Sequence, residues 1–281
     1  SKCFNQFKRL ENLTKQSDLQ VMLTTHWYGS LPTIQKGNLH HIDFGDKPSI
    51  TTFDFLNFME ERRNFPDDIE MKSFFELVTT LISSIKNENI NWLICEGSDD
   101  KNYITHYLGD EVNNLHIMPV GGCGNVIKLY EYLFAPFSEK KEKALLTEGK
   151  VLCLIDSDIE QKTIKVNSNV GNQLKISRLQ LNSDSTFELR NLTNTGRYEP
   201  TTVEDCLNSS IMYSALTETV NELSESSIKE LFDKFEFNDD NNNSRIEGES
   251  SIIKPKEVEV IARKPELYLE FKKNNFKYKL A

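Results

Sequence analysis

The chain lacks any apolar run approaching the roughly 18–20 residues that a membrane-spanning helix requires. Its polar start, Ser1-Lys-Cys-Phe-Asn, shows no apolar core of a signal peptide, so a cytoplasmic setting without membrane attachment is expected. Cysteine is scarce: five residues, odd in number and widely scattered, which argues against a disulfide framework. No CxxC pair and no Cys/His cluster supports zinc. Cys95 and Cys153 lie inside apolar runs and are expected to be buried thiols, as suits a reducing compartment. No G-x-x-x-x-G-K-[ST] stretch exists, so the chain carries no phosphate-binding P-loop of its own. Excess positive charge is missing too. The formal net charge is −10, which argues against a protein wrapped in basic surface for nucleic acid. It does not exclude an enzyme of nucleic acid, because acidic groups gathered in one site repel phosphate only until divalent metal occupies them.

What remains is ordinary globular composition, 38% apolar and 27% charged over 281 residues, enough for one large domain or two smaller ones. No internal repeat is visible. Residues 1–19 read as a helix, with Phe4, Phe7, Leu10 and Leu13 at spacings of three. Val21 to His26 reads as a strand ending in a histidine, and Leu39 to Phe44 as another. Residues 46–65 show no strong period. A helix is expected from Pro66 through Ser84. Strands at 91–95, 115–120 and 151–155 then alternate with helices near 99–108 and 125–135. That alternation implies βαβ units and a parallel sheet. Beyond Asp158 the pattern changes to a hairpin (174–181 and 187–192), helices near 203–223 and 226–234, a low-complexity loop at 238–244, and a last helical stretch interrupted at Pro265.

Two apolar runs carry the chemistry. Trp92-Leu-Ile-Cys ends in Glu96-Gly-Ser-Asp-Asp100-Lys101, and Val151-Leu-Cys-Leu-Ile ends in Asp156-Ser-Asp158. Acidic groups at the carboxyl ends of buried parallel strands converge on the edge where open α/β sheets place ligands. Asp156 and Asp158, two apart, share a face if the strand continues through them. Carboxylate oxygens suit magnesium or manganese. Each motif also has a plain reading. An Asp-x-Asp after a strand is a common turn or cap, Asp99 or Asp100 can cap the following helix, and Glu204-Asp205 is favourable charge in a first helical turn. The turn Val120-Gly-Gly-Cys-Gly-Asn125 reads as a tight strand-to-helix connection or as a small-residue loop approaching a phosphate. The tail from Phe271 to Lys279 mixes cations with aromatics, as single-strand binding surfaces do, or is a solvated helix end.

Taken together, Glu96-Gly and Asp156-x-Asp158 at the ends of two strands resemble the Toprim catalytic domain shared by topoisomerases, primases and certain nucleases, and the glycine turn resembles the glycine-rich link of one nuclease branch of it. The finer resemblance is to the overcoming-lysogenisation-defect (OLD) nuclease family. Its E-G-x-x-D-K motif falls on Glu96, Gly97, Asp100 and Lys101, and its downstream acidic motif on Thr201-Thr-Val-Glu204-Asp205. The resemblance covers roughly residues 70–210. It implies an α/β, Rossmann-like Toprim fold with a parallel sheet flanked by helices and a helical C-terminal extension. It also implies a two-metal site for Mg²⁺ or Mn²⁺. Glu96, Asp156 and Asp158 would hold one ion with Asp100 beside it, while Glu204 and Asp205 would help hold a second. The family uses a late lysine to steady the transition state, for which Lys254 and Lys256 are the candidates and Lys256 is preferred. Lys101 is expected on the solvent face of its helix.

The segment ending in His26 resembles the switch-histidine strand of ABC-type ATPases, which OLD proteins carry ahead of the Toprim domain. On that basis residues 1–45 are expected to be the end of an ATPase domain, 46–90 a helical connector and 91–281 the Toprim domain with its extension. His26 would sense nucleotide, with ATP used only by the complete protein, which would form homo-oligomers through its ATPase part. The implied activity is endonucleolytic cleavage of DNA in preference to RNA, with a role in defence against phage. Two alternatives stay open. One is a Toprim topoisomerase or primase, marked for the topoisomerases by a covalent tyrosyl–DNA adduct. The other is a non-catalytic metal-binding or docking module, marked by the absence of cleavage.

Overall fold

Short β-branched runs alternating with amphipathic helices fold here into an α/β architecture. The computed structural model describes residues 2–17, 19–29, 37–44, 47–54, 67–108, 111–138, 149–157, 172–182, 186–192, 200–222, 226–240, 244–245 and 251–273. The chain divides into two units. The first comprises Ser1–Lys101, Leu108–Ile155 and Lys165–Ser177; the second comprises Asn102–Tyr107, Asp156–Ile164 and Arg178–Ala281.

The first unit begins with helix α1 (Lys2–Gln16) and an antiparallel hairpin of β1 (Asn38–Asp43) and β2 (Ser49–Asp54). The Ser-Ile-Thr-Thr-Phe-Asp run of β2 was not anticipated, although its β-branched residues favour a strand. Helix α2 (Asp67–Glu88) buries Phe74, Leu77, Leu81 and Ile85, which recur at three- and four-residue intervals on one face. Next come β3 (Asn91–Cys95), α3 (Ser98–Leu108), β4 (Leu115–Pro119), α4 (Cys123–Ser138) and β5 (Val151–Ile155). β3 lies parallel to both neighbours, with Trp92 opposite His116 on β4 and opposite Val151 on β5. The strands are apolar almost throughout because both faces are covered. The Trp92 indole N–H donates to Ser84 Oγ at 2.8 Å, so the one polar atom of that large side chain is satisfied on α2. α4 contributes Val126, Leu129, Tyr130, Leu133 and Phe137 to the same core.

The sheet has five strands in the order β4-β3-β5-β6-β7, with β6 at Leu174–Leu181 and β7 at Phe187–Asn191. It is mixed, which corrects the expectation of a parallel sheet. The connection from β6 to β7 is closed by the Asn182 N–H donating to the Thr186 carbonyl at 2.8 Å. So short a link can only return the chain antiparallel.

The second unit carries a 3₁₀ turn (Val203–Cys206), α5 (Ser209–Glu222), α6 (Ser226–Phe232), the short strands β8 (Phe235–Phe237) and β9 (Ile253–Pro255), a second 3₁₀ segment (Val258–Arg263) and α7 (Lys264–Lys273). Its core gathers Leu216, Ile228, Phe235, Ile252, Leu267 and Phe271, among others. Burying each such side chain stabilises by about 1.5–3 kcal/mol. Phe271, expected in a cation–aromatic tail, is instead a core residue whose ring centroid lies 6.3 Å from that of Phe232. Residues 274–281 of that tail lie outside the described residues.

Two further expectations change. Residues 203–223 do not form one helix. The Asn208 side chain accepts from the backbone N–H groups of Ser210 and Ile211, at 3.1 and 3.2 Å, and so caps a fresh start at α5. Residues 21–26 form no strand. They run irregular and exposed, and among the described residues no strand pairs with them. Among the described residues no helix is long and apolar enough to cross a membrane.

Candidate functional site

In the first unit the carboxyl ends of β3, β4 and β5 lie on one edge of the sheet, since the three strands are parallel. Glu96 follows β3 directly and is partly exposed. Its backbone is held on both sides. The Glu96 carbonyl accepts from the N–H groups of Gly121 and Gly122, at 2.8 and 2.9 Å, in the turn after β4. Its own N–H, at 3.1 Å, and that of Gly97, at 2.9 Å, donate to Asp100 Oδ2. Asp100 is only 8% exposed and sits in the first turn of α3, where negative charge faces the positive end of the helix. One of its oxygens is therefore committed to shaping the Glu96-Gly97 turn. Burial, and next the Asp100 carboxylate, push the Cys95 thiol far above its ordinary pKa and keep it protonated.

Gly121 and Gly122 take φ values of 78° and 95°, a left-handed geometry that a side chain would strain. Because both amides point at the Glu96 carbonyl, the turn works as a strand-to-helix connection, and those two donors are not presented to a phosphate. Gly97 has no such φ, and a Cβ there would meet nothing closer than 3.9 Å.

In the second unit Asp156 follows β5, and the next residue, Ser157, pairs with Thr201. Each donates its N–H to the other's carbonyl at 2.9 Å. The Ser157 hydroxyl also donates to the Leu179 carbonyl. Thr201, fully buried, accepts the Leu181 N–H on its Oγ1 at 3.0 Å. This pairing draws the Thr201-Thr-Val-Glu204-Asp205 segment alongside Asp156. Glu204 is buried and Asp205 half-buried on the 3₁₀ turn, with the Asp205 carboxylate accepting the Thr202 N–H at 2.8 Å. The buried Ser244 fastens the turn from another segment. Its hydroxyl donates to the Glu204 carbonyl, and its N–H donates to the Asp205 carbonyl at 3.1 Å. Cys206 registers the shared field. Burial first, then the charges of Asp205, Asp156 and Glu204, push its thiol far above the ordinary range.

Asp158 lies outside the described residues. Among the described residues no three His, Cys, Asp or Glu side chains form a group arranged to hold a metal ion. The acidic residues on the two sides of the Ser157–Thr201 join offer carboxylate oxygens, a donor type that suits magnesium or manganese and not a soft metal. Lys254 and Lys256 lie on and beside β9. Lys254 Nζ pairs with Asp239 at 3.2 Å and Glu236 at 4.0 Å, whereas Lys256 Nζ donates to the Asp233 carbonyl at 2.6 Å. His26 is exposed in the irregular stretch before Trp27, and Lys101 is half-exposed on α3. Sequence reasoning missed Ser157, Thr201, Ser244 and Asn125. Only Asn125 had a local signal, as a polar residue directly after a glycine turn.

Comparison with known proteins finds no matching family model, no matching curated protein and no matching solved structure.

Proposed function

We propose that this chain is a metal-dependent endonuclease of the Toprim class, the cutting part of an OLD-type ATPase–nuclease acting in defence against phage. The observation that supports the reading is the Ser157–Thr201 pairing, which joins the residue after Asp156 to the segment that carries Glu204 and Asp205. Carboxylates gathered in one site would repel one another, and a hard cation would relieve that repulsion. When bound, Mg²⁺ or Mn²⁺ supplies Lewis-acid charge against the phosphate and eases the ionisation of water. By the resemblance, Glu96, Asp156 and Asp158 would hold one ion, with Asp100 beside it, and Glu204 and Asp205 would help hold a second. Lys256 is assigned to offset negative charge on the phosphate as the bond to the leaving oxygen breaks. His26 is assigned to nucleotide sensing in the complete protein, which uses ATP and assembles through its ATPase part.

The test is cleavage of plasmid DNA, single-stranded DNA and RNA by the full chain with Mg²⁺, Mn²⁺ or chelator. The expected outcome is metal-dependent cutting of DNA that disappears when Asp156 and Asp158 are both changed to Ala. Unchanged cutting in that double variant rejects the assignment, and a covalent tyrosyl–DNA adduct redirects it to a topoisomerase.

A further inference from the structure

The Glu96 carbonyl is gripped by a turn that is itself gripped by a side chain. Asn125, two residues into α4, reaches back with its side-chain amide. Nδ2 donates to the Val120 carbonyl at 2.8 Å and to the Gly121 carbonyl at 2.7 Å. Its backbone N–H closes the same turn on the Gly122 carbonyl at 3.0 Å. The turn needs that brace. Two consecutive glycines in left-handed geometry lose more conformational freedom on folding than any other pair, and nothing in their own side chains holds them. With the Val120 and Gly121 carbonyls fixed, the Gly121 and Gly122 N–H groups stay aimed at Glu96, at 2.8 and 2.9 Å. Asp100 holds the other side of the same peptide through the Glu96 and Gly97 N–H groups.

We propose that Asn125 is a positioning residue: acting through the Gly121-Gly122 turn, it fixes the backbone from which the Glu96 carboxylate projects. The proposal rests on the reading of Glu96 as a cation ligand. Its geometric half, that Asn125 holds the turn and the turn holds Glu96, stands independently of that reading. Asparagine suits the task because one nitrogen supplies two donors to adjacent carbonyls. Aspartate has the same shape but no donor, and would set a carboxylate against two carbonyl oxygens.

Two measurements on the full chain test it. The first is amide hydrogen exchange followed by mass spectrometry on Asn125→Ala and Asn125→Asp. Exchange is expected to rise about tenfold or more in peptides covering 95–97 and 120–123, with β5 unchanged as evidence that the variants fold. Unchanged exchange at 95–97 overturns the proposal. The second is Mn²⁺ binding by calorimetry in a double-mutant cycle with Glu96→Gln. Asn125→Ala is expected to weaken binding about 10–100-fold when Glu96 is present, as loss of a residue supporting a metal ligand does, and to add nothing when Glu96 is replaced. Equal weakening in both backgrounds, or none in either, overturns it. If the unaltered chain binds no Mn²⁺, the nuclease reading fails, and the exchange measurement still decides whether Asn125 positions Glu96.

Discussion

Ser157 and Thr201 exchange a pair of backbone hydrogen bonds, each 2.9 Å long, and thereby join the end of β5 to a segment far along the chain. The Thr201 hydroxyl adds a third tie by accepting the Leu181 N–H at 3.0 Å. The join matters for the second unit's candidate site because Asp156 directly precedes Ser157 and the segment after Thr201 carries Glu204 and Asp205.

Thr201→Val therefore tests the join. It keeps the shape and leaves the buried Leu181 N–H without its acceptor, which destabilises by about 1–3 kcal/mol. The midpoint of urea unfolding is expected to fall accordingly. An unchanged midpoint would show that the hydroxyl does not hold the segment.

Asp100 separates two roles by its variants. Asp100→Ala strips the acceptor from two N–H groups at the Glu96-Gly97 turn, with an expected loss of about 2–3 kcal/mol. Asp100→Asn keeps a carbonyl oxygen in the same place and is expected to recover at least half of that loss. The measurement is denaturant unfolding of both variants. Equal destabilisation by Asn and Ala would mean that the charge, and not the acceptor, is what the turn requires.

The glycines of the turn into α4 differ in what they tolerate. Gly122→Ala forces a side chain into left-handed geometry and is expected to destabilise by about 1–2 kcal/mol. Gly124 lies within the helix with open space around it, so Gly124→Ala is expected to stabilise by about 0.5–1 kcal/mol. Thermal unfolding of the two variants should move in opposite directions.

The buried thiols lower stability on the alkaline side. Cys153 and Cys206 have an ordinary pKa of about 9, and burial raises both in the folded chain, with the carboxylates Asp205, Asp156 and Glu204 adding to the rise at Cys206. Below that ordinary value both states bind the proton and the folded state's advantage is whole. Above it the unfolded chain releases protons that the folded chain retains, so stability falls as pH rises. Unfolding curves from pH 8 to pH 10.5 are expected to show this fall, and Cys206→Ser to lessen its slope. An identical slope in the variant would place the effect elsewhere.

Lys256 and Lys254 divide under the proposed function. Lys256→Ala is expected to lower kcat for DNA cleavage by about 100-fold with KM little changed, as loss of a group that stabilises transition-state charge does. Lys254→Ala removes only exposed ion pairs with Asp239 and Glu236 and is expected to leave cleavage within about twofold. The reverse result would exchange their roles.

The central βαβ region was readable because its signals are local. The runs at 91–95 and 151–155 are apolar throughout, as strands covered on both faces must be, and α2 repeats its apolar residues every three or four positions. The stretch at 21–26 misled because apolar, β-branched composition shows what can enter a sheet and not whether a sheet edge is there to receive it. The helix expected over 203–223 broke because the Asn208 side chain competes for backbone N–H groups, an effect that periodicity does not register. β8 and β9 escaped notice because three residues are too few to show a period.

By itself the sequence determined which chemistry is possible. Carboxylates follow buried strands, a glycine pair demands left-handed backbone, and no P-loop, zinc motif or disulfide framework is present. Only the tertiary structure decided which of those residues meet. The Ser157–Thr201 pairing joins the end of the Asp156 strand to the segment that carries Glu204 and Asp205, and the Asn125 side chain braces the turn whose glycine amides donate to the Glu96 carbonyl. The physical reason is that a side chain's kind is written at its own position, whereas its partners depend on long-range backbone hydrogen bonds whose donors and acceptors are the same at every residue.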